Sequence, residues 1–382
     1  MATVSLPTSD TISASGRGSI WGFDWPLWVT VVFLAVWGVF TVISATLAPG
    51  EPLISGSHLS DGAKQIGFVA LGLSAMTALG FANYRWLMHL QSPLYWLNIG
   101  ALILVLVVGR DINGAKSWIV LGPLSLQVSE FSKFALLLSL AAFLTRRQGR
   151  IKDWRTVALS LLYLVPPLLL ILKQPDFGTS MALMSIWGGM MFFGGARWQH
   201  LVVVAVLGVA VFFGAYKVGV LKPHQVARLT SFANPDASRA AGGYQLNQSL
   251  IAIGGGQLTG QGYREGMQNR AHYVPFNQTD FIFSVVAEEW GFMGGALLIT
   301  CYFIVLYRTA NLALFADNYF GVLLCGGFTA LLAFHCIINI GMTMRVMPIS
   351  GVPLPFFSYG GSSFLAFSLC AGLLQSVSAH RR

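Results

Sequence analysis

Asp280 is the side chain whose type and position are best suited to chemistry. It ends the polar stretch Tyr273–Asp280 and stands directly before an apolar run, in a chain with only 14 acidic residues among 382. A carboxylate at a boundary between lipid and water costs free energy unless it has a function or a partner. We therefore expect Asp280 to accept a proton from a substrate hydroxyl. The structural alternative is that Thr279 caps a helix and Asp280 complements the helix dipole.

Glu288 and Glu289 follow in the same predicted helix. Eight helical residues rise about 12 Å, whereas the two carboxyl groups of a glycosidase lie at most about 9.5 Å apart. Asp280 and Glu288 therefore do not fit an acid–base pair of the hydrolase type, and we expect the glutamates to satisfy helix ends or neighbouring helices. A transfer that expels pyrophosphate needs only one base, because that leaving group departs as an anion and requires cations or a metal instead.

Other polar residues have both a functional and a structural interpretation. Glu130 and Lys133 share a helix face, either as a mutually neutralising pair within the bundle or as the polar wall of an outward-facing cavity. Asp176 precedes a helix start, where a structural role is slightly favoured. His335 is interpreted as a packing residue. Arg264 belongs to a set of loop cations that could contact a phosphate or, less specifically, lipid headgroups.

A glycine-rich stretch at Ser358–Ser363 is similar to a phosphate-cradling loop but lacks the lysine of a P-loop. Glycines in a membrane bundle also permit close helix approach. Pro353 and Pro355 predict a bent re-entrant segment before it, which we interpret first as a cavity wall and second as a ligand contact. The candidate substrate-binding residues are Lys116, Trp118, Glu130, Lys133, Asp176, Arg264, Ser358 and Gly360.

The elements that position these residues are membrane helices. Hydrophobic residues make up 55% and charged residues 10% of the chain, against about 25% charged in soluble domains. The sequence predicts an all-α integral membrane protein with about ten transmembrane helices, a disordered cytoplasmic tail at 1–20, a single membrane domain at 21–382 and one long periplasmic loop at 219–280. The predicted spans are Pro26–Leu47, Ile66–Ala82, Leu94–Gly109, Ser129–Thr145, Leu159–Leu172, Thr179–Ala196, Leu201–Val218, Gly291–Tyr307, Phe320–Gly341 and Ser362–Val377.

Charge asymmetry predicts the orientation. One alternate set of connections holds most of the lysines and arginines, so it should be cytoplasmic, with both termini inside and Asp280 outside. The polar motifs between spans then converge on the outer face. The scattered basic residues exclude a nucleic-acid partner, and membrane lipids are expected around the bundle. The four cysteines are interpreted as packing residues within spans: Cys301, Cys325, Cys336 and Cys370.

Several ordered motifs resemble the SEDS family of bacterial cell-wall polymerases from the first span to the last. They are Gly114–Ile119 with Gln127–Lys133, Gln174–Thr179, Tyr244–Gly254, Thr279–Phe283 with Glu288 and Glu289, and Pro355–Ser363. Gly351–Pro355 is more similar to the RodA branch, which serves elongation, than to the FtsW branch. The chain departs from the family pattern at Ser117, Val128, Phe276, Gln278 and Arg345, which alters the surroundings of Asp280 but not the residue itself.

The resemblance implies inverting glycosyltransfer on lipid II, in the inner membrane of a bacterium, with release of undecaprenyl pyrophosphate. The family's catalytic aspartate falls on Asp280. A divalent cation (Mg²⁺ or Mn²⁺) and a class B penicillin-binding protein partner are implied by the resemblance alone. Two alternatives remain open at this point: a lipid II flippase, which needs polar groups through the whole membrane depth, and a non-enzymatic scaffold, for which Asp280 is dispensable.

Overall fold

The chain folds as a bundle of apolar helices. The computed structural model describes residues 22–47, 53–55, 58–112, 115–121, 124–218 and 241–381. Its helices are α1 Trp25–Thr46, α2 Asp61–Phe81, α3 Tyr84–Leu87, α4 Gln91–Val108, α5 Val128–Thr145, α6 Trp154–Lys173, α7 Phe177–Phe193, α8 Trp198–Lys217, α9 Ala241–Gly255, α10 Met267–Arg270, α11 Ile282–Leu314, α12 Tyr319–Thr343 and α13 Gly361–Ala379.

Ten of the apolar helices correspond one to one with the ten predicted spans. Within the described residues eight are long and apolar enough to cross a membrane, with α3 and α4 counted as the single stretch Tyr84–Val108, and two shorter apolar helices, α7 and α8, complete the set. The predicted fold class is confirmed, and the chain is a multi-pass integral membrane protein. The predicted tail at 1–20 lies outside the described residues.

Two features differ from a purely helical prediction. Residues 110–127 form a small antiparallel sheet, with strands β3 Arg110–Ile112, β4 Ala115–Leu121 and β5 Leu124–Gln127 in the order β3-β4-β5, after a short hairpin of β1 Ile54–Ser55 and β2 His58–Leu59. These segments lie between spans, so they are free of the demand that lipid-exposed backbone be helical. The predicted loop at 219–280 is in part helical, in α9 and α10; its residues 219–240 lie outside the described part.

The end of the bundle opposite Asp280 is held by a polar junction around the buried Asp24 side chain. Arg308 on α11 forms a bidentate ion pair with Asp24 at 3.0–3.1 Å, and the Asp24 side chain also accepts from the Leu27 backbone N–H at the start of α1. The Gln375 amide on α13 exchanges two 3.0 Å hydrogen bonds with the Asp24 backbone. Three helices are thereby fixed at this end, which leaves the other end to the polar loops.

A kink at Gly291 divides α11 near its start. Gly291 has φ +64, and a Cβ there would approach the Gly260 backbone nitrogen to 2.4 Å, so only glycine permits this contact. The N–H groups of Phe292 and Met293 donate instead to the carbonyls of Gln257 and Leu258 at 2.8 and 3.1 Å. The kink therefore docks the segment after α9 onto α11 beneath Asp280.

Candidate active site at the polar end of the bundle

Asp280 lies in a tight turn immediately before α11. The carbonyl of Phe276 accepts hydrogen bonds from three successive backbone N–H groups, those of residues 279–281, at 3.1–3.2 Å. Phe276 adopts φ +57 to close this turn. The prediction that Thr279 caps the helix is wrong: α11 begins at Ile282 after Phe281, and the Thr279 hydroxyl donates to the Phe276 carbonyl at 3.3 Å. Asp280 is half-buried.

Three consecutive carbonyls fix the backbone of residues 278–280. They accept, in chain order, from the Tyr359 backbone N–H at 2.9 Å, the Ser358 hydroxyl at 2.6 Å and the Asn339 side-chain amide at 3.0 Å. A small apolar cluster supports the same turn and includes Phe281, which is 1% exposed. Its other members are Leu246, Ala252, Val274 and Ile349. Asp280 is therefore presented from a rigid backbone.

Ser358 and Gly360 lie in the segment that holds Asp280. The Ser358 hydroxyl also accepts from the Leu354 backbone N–H at 2.9 Å, so its hydrogen-bonding capacity is used within the protein. Gln65 on α2 donates to the Ser358 carbonyl at 3.3 Å and accepts from the Gly360 N–H at 3.2 Å. The structure brings both predicted residues to the Asp280 turn, as supports of the backbone. A contact with substrate stays a prediction.

Tyr359 joins this segment to α2. Its hydroxyl donates to Asp61 Oδ1 at 3.1 Å, and Lys64 pairs with the same oxygen at 3.0 Å. Burial, together with the adjacent Asp61 carboxylate, raises the pKa of Tyr359 well above its ordinary value. The phenol therefore remains protonated and keeps its role as a hydrogen-bond donor at physiological pH.

Glu130 and Lys133 form an ion pair inside the bundle. Lys133 Nζ lies 2.7 Å from Glu130 Oε1, with 2% and 4% of the two side chains exposed. Lys133 Nζ also lies 3.2 Å from His335 Nε2 and 5.3 Å from the Phe367 ring centroid. The pair thus has the neutralising arrangement offered as the structural alternative, and His335 is part of it. Substrate binding by Glu130 and Lys133 stays a prediction.

Asp176 has the structural role that its position favoured. It is the N-cap of α7: Oδ1 accepts from the Thr179 N–H at 2.9 Å. Its Oδ2 accepts from the Ser129 hydroxyl at 2.9 Å and the Gln127 side-chain amide at 3.1 Å. The carboxylate therefore ties the start of α7 to the start of α5. Its predicted contact with substrate is untested.

The two glutamates that follow Asp280 are anchors. Glu288 accepts from the backbone N–H groups of Gln268 and Asn269 at 2.7 and 3.1 Å, which satisfies the start of α10. Glu289 accepts from the Ser44 hydroxyl on α1 and from the Asn269 amide. The expectation that this pair serves helix ends and neighbouring helices is confirmed.

The remaining candidates are more dispersed. Trp118 pairs with Gln127 and Arg110 in the small sheet. The backbone of Lys116 lies in the same strand, β4, whereas its side chain is outside the described structure. Arg264 has φ +62 and donates to the carbonyl of Leu47 at 2.8 Å, at the end of α1. All three lie in segments between spans, and a contact between them and substrate stays a prediction.

The described side chains do not form a metal site by themselves. In the part of the chain that the structure describes, no three His, Cys, Asp or Glu side chains lie close enough to hold one together. An all-protein metal cage is therefore not built here. Mg²⁺ commonly binds through one or two carboxylates plus substrate phosphates, and only that mode suits the described residues. All four cysteines are buried and free, as expected.

Sequence reasoning missed Asn339, which the structure places against Asp280. The signal was present: Asn339 is an amide within an apolar span, four residues after His335, so both share one helix face. A polar group in a membrane span calls for a named partner. The partners could not be named, because residue 280 lies 59 positions away and residue 352 lies 13 positions away across a turn, so helix periodicity relates neither to Asn339.

Comparisons with known proteins agree over nearly the whole chain. The model of the FtsW/RodA/SpoVE family of cell cycle proteins matches residues 24–382. Peptidoglycan glycosyltransferase RodA of Treponema pallidum is 31% identical, covering 94% of this chain and 98% of its own length. Stage V sporulation protein E of Bacillus subtilis is 34% identical (93% and 96%). The probable peptidoglycan glycosyltransferase FtsW of Hydrogenovibrio crunogenus is 34% identical (99% and 96%).

Solved structures show the same fold. A chain from a peptidoglycan synthase complex, studied for the coordination of polymerization and crosslinking, aligns with a TM-score of 0.78 and 34% identity, covering 93% of this chain and 97% of that chain. The crystal structure of the rod shape determining protein RodA from Thermus thermophilus aligns with a TM-score of 0.68 and 32% identity, covering 94% and 97%.

Proposed function

Because the chain belongs to the SEDS family of FtsW, RodA and SpoVE proteins and is a peptidoglycan glycosyltransferase, we propose that it polymerises lipid II into glycan strands with Asp280 as the general base. The observation that carries this proposal is the half-burial of Asp280 at the end of the bundle where the polar segments converge. Glu130, Glu288 and Glu289 are each less than 4% exposed and engaged inside the protein. Asp280 is more exposed than these three glutamates, and hydrogen bonds fix its backbone.

The proposed step is a single displacement at a sugar carbon. The 4-hydroxyl of the acceptor GlcNAc attacks C1 of the donor MurNAc, the bond from C1 to the pyrophosphate oxygen breaks, and the configuration at C1 inverts. The hydroxyl proton passes to the Asp280 carboxylate, and the electron pair of the broken bond leaves with the pyrophosphate. A positioned base contributes about 10²- to 10⁴-fold to such a step. The three hydrogen bonds to the backbone of 278–280 limit the movement of that base.

A second catalytic carboxylate is unnecessary. Pyrophosphate leaves as an anion and needs no proton, unlike the alkoxide that a glycosidase expels. When bound, a divalent cation would neutralise charge on that leaving group. We keep Mg²⁺ or Mn²⁺ as a proposal, in which the ion would be held mainly by the phosphate oxygens of the substrate. This restriction follows from the absence of a cluster of metal-binding side chains among the described residues.

The test is glycan-strand formation from lipid II by the purified full chain together with its penicillin-binding partner. Asp280→Asn and Asp280→Ala should each reduce the rate by at least about 10²-fold. The melting temperature should stay near the wild-type value, because both variants keep the hydrogen bonds by which Asn339, Ser358 and Tyr359 hold the backbone of this turn.

Glu265→Gln is the matched control. Glu265 is an exposed carboxylate in the same inter-span region, so its removal should leave the rate unchanged. Normal polymerisation by both Asp280 variants would refute the base assignment. Absence of strand formation by the wild-type complex would instead favour a lipid II transporter or a non-enzymatic scaffold.

We propose a class B penicillin-binding protein as the partner. The support is the similarity to a chain of a peptidoglycan synthase complex that couples polymerization to crosslinking. Strand synthesis and crosslinking must occur on the same side of the membrane, which suits an active site outside the cell. Co-purification of the two full-length proteins from membranes tests this pairing, and independent elution would contradict it.

We further propose a role in elongation at the bacterial inner membrane, with both termini cytoplasmic and Asp280 periplasmic. Gly351–Pro355 supports the elongation role, and the Lys and Arg asymmetry supports the orientation. Expression in cells depleted of RodA should restore rod shape, whereas rescue of FtsW-depleted cells alone would assign the protein to division. Labelling of Glu265→Cys by a membrane-impermeant maleimide in intact spheroplasts tests the orientation; protection there would reverse it.

A further inference from the structure

We propose that Asn339 is a positioning residue for Asp280. Its single side-chain amide joins the backbone of Asp280 to that of Val352, in the proline-containing segment of residues 351–358. The inference rests on the proposed function, because it assumes that Asp280 is the base. It adds a residue, on a different helix, whose removal should slow the reaction without contact with either sugar.

The geometry uses both hydrogens of one amide. Asn339 Nδ2 donates to the carbonyl of Asp280 at 3.0 Å and to the carbonyl of Val352 at 2.8 Å. Both partners are carbonyl oxygens, which only accept, so the NH₂ group must face them and the orientation of the amide is fixed by its surroundings. No other side chain in the described residues is seen to bridge the Asp280 turn and the 351–358 segment in this way.

The placement of this amide is costly to stability. Asn339 is fully buried in α12, and its Oδ1 has no hydrogen-bond partner among the described residues. An unsatisfied buried acceptor is unfavourable, and an apolar side chain of similar volume would avoid that penalty. Leucine would avoid that penalty but would leave the carbonyls of Asp280 and Val352 without these donors. The two donated bonds are what leucine cannot supply.

A second residue on α12 holds the same segment one turn away. His335 Nδ1 lies 2.9 Å from the carbonyl of Pro353, next to the residue that Asn339 binds. That carbonyl can only accept, so Nδ1 carries the proton, and Nε2 is left to accept from the Lys133 ammonium at 3.2 Å. The carbonyls of Val352 and Pro353 are thus fixed to one helix face, and Asn339 extends this fixed frame to Asp280.

The other end of segment 351–358 also binds the turn that contains Asp280. Ser358, which bonds the Leu354 N–H at 2.9 Å, donates to the carbonyl of Thr279 at 2.6 Å. Asp280 is therefore held between Asn339 on one side and Ser358 on the other. Loss of the Asn339 amide should release the backbone carbonyl of Asp280. That carbonyl belongs to the same residue as the reacting carboxylate, whereas Ser358 holds the preceding residue, Thr279.

The test compares Asn339→Leu and Asn339→Asp with wild type in the full-length complex. Both variants lack the NH₂ donor, but leucine is apolar and aspartate has the same shape. Misplacement of a reacting group by about 1 Å can cost about 10²-fold in rate. We expect kcat to fall by about that factor in Asn339→Leu with KM for lipid II unchanged. Hydrogen–deuterium exchange of the amides of residues 276–281 should increase more than that of the rest of the bundle. The melting temperature should fall because two carbonyls lose their donors, so kcat is measured per folded molecule.

Asn98→Leu is the matched control. Asn98 is also a buried amide in a span, 7% exposed, and its Oδ1 accepts from the Ser132 hydroxyl at 2.7 Å, away from Asp280. It should leave kcat and the exchange of residues 276–281 at wild-type values. If Asn339→Leu fails to fold, Asn339→Ser replaces it, because serine keeps a polar group but cannot reach both carbonyls; it should show the same effects.

Asp280→Asn in the same assay separates the two proposals. If Asp280→Asn retains wild-type turnover, the base assignment fails, whatever Asn339 does. If Asp280→Asn is inactive and Asn339→Leu keeps wild-type kcat, the positioning role is overturned. A raised KM with unchanged kcat would also overturn it, because that pattern indicates a binding contact. An equal loss of kcat in Asn98→Leu would attribute the effect to general loosening of the bundle.

Discussion

Asp280 differs sharply from the two glutamates that follow it within nine residues. Glu288 and Glu289 are 1% and 2% exposed, and their carboxylates bind the start of α10 and the end of α1. Asp280 is half-buried, and it is its backbone carbonyl that binds Asn339 on a neighbouring helix. In the glutamates the charged group is used to build the structure. In Asp280 the backbone carbonyl serves that purpose, and the residue as a whole remains half-buried.

An acidic side chain in a membrane protein therefore cannot be interpreted from its type alone. All three residues stand at the start of one helical segment, and each is a costly group to place near lipid. Partners decide which of them is structural. Substitutions should therefore separate into those that reduce stability and those that reduce turnover.

The largest stability effect should come from Glu130, whose carboxylate forms a buried ion pair with Lys133. Glu130→Gln leaves the Lys133 ammonium, 1% exposed, without its counter-charge. Removal of one partner of a buried pair costs about 3–5 kcal/mol. Thermal unfolding in detergent should show this loss, and the double variant Glu130→Gln/Lys133→Met should recover most of it because no charge remains. A Glu130→Gln protein with wild-type stability and no turnover would instead give Glu130 a direct role in function.

An intermediate effect is expected at Glu288. Glu288→Gln converts two charge-assisted hydrogen bonds, to the N–H groups of Gln268 and Asn269, into at best neutral ones. Hydrogen bonds to charged groups contribute about 1.5–3 kcal/mol each, so the melting temperature should fall while turnover per folded molecule stays near wild type. The exposed Glu265→Gln variant is the control for loss of a negative charge. Loss of turnover at unchanged stability would remove the distinction between Glu288 and Asp280.

The smallest effect should come from loss of the partly exposed ion pair between Lys64 and Asp61, at the same end of the bundle as Asp280. Lys64 pairs with Asp61 at 3.0 Å, with 28% and 36% of the two side chains exposed. Such pairs are screened by solvent and contribute about 0–1 kcal/mol. Lys64→Ala should therefore change neither melting temperature nor turnover measurably, since Tyr359 still donates to Asp61. A large loss of turnover in Lys64→Ala would show that the Lys64 charge contributes to the reaction although the side chain is partly exposed.

The helices themselves were largely predictable. Uninterrupted apolar length requires helix in lipid, because no water is present to satisfy the backbone; even α6, with Pro166 and Pro167 inside it, forms as one helix. The sheet at 110–127 was not predicted, because its strands are short and lie outside that constraint. Arg345, noted as a departure from the family pattern, has φ +58, a conformation that favours glycine.

Asp280, the glutamates and the Glu130–Lys133 pair were chosen from residue type and spacing, and the structure gives each of them a definite environment. The sequence alone determined the membrane fold and the small set of acidic residues worth testing, because apolar length and the cost of charge in lipid are properties of local sequence. Only the tertiary structure decided which acid is anchored and which is accessible, and that Asn339 binds the carbonyls of Asp280 and Val352. Those contacts join segments that are far apart in the chain, so no local pattern could specify them.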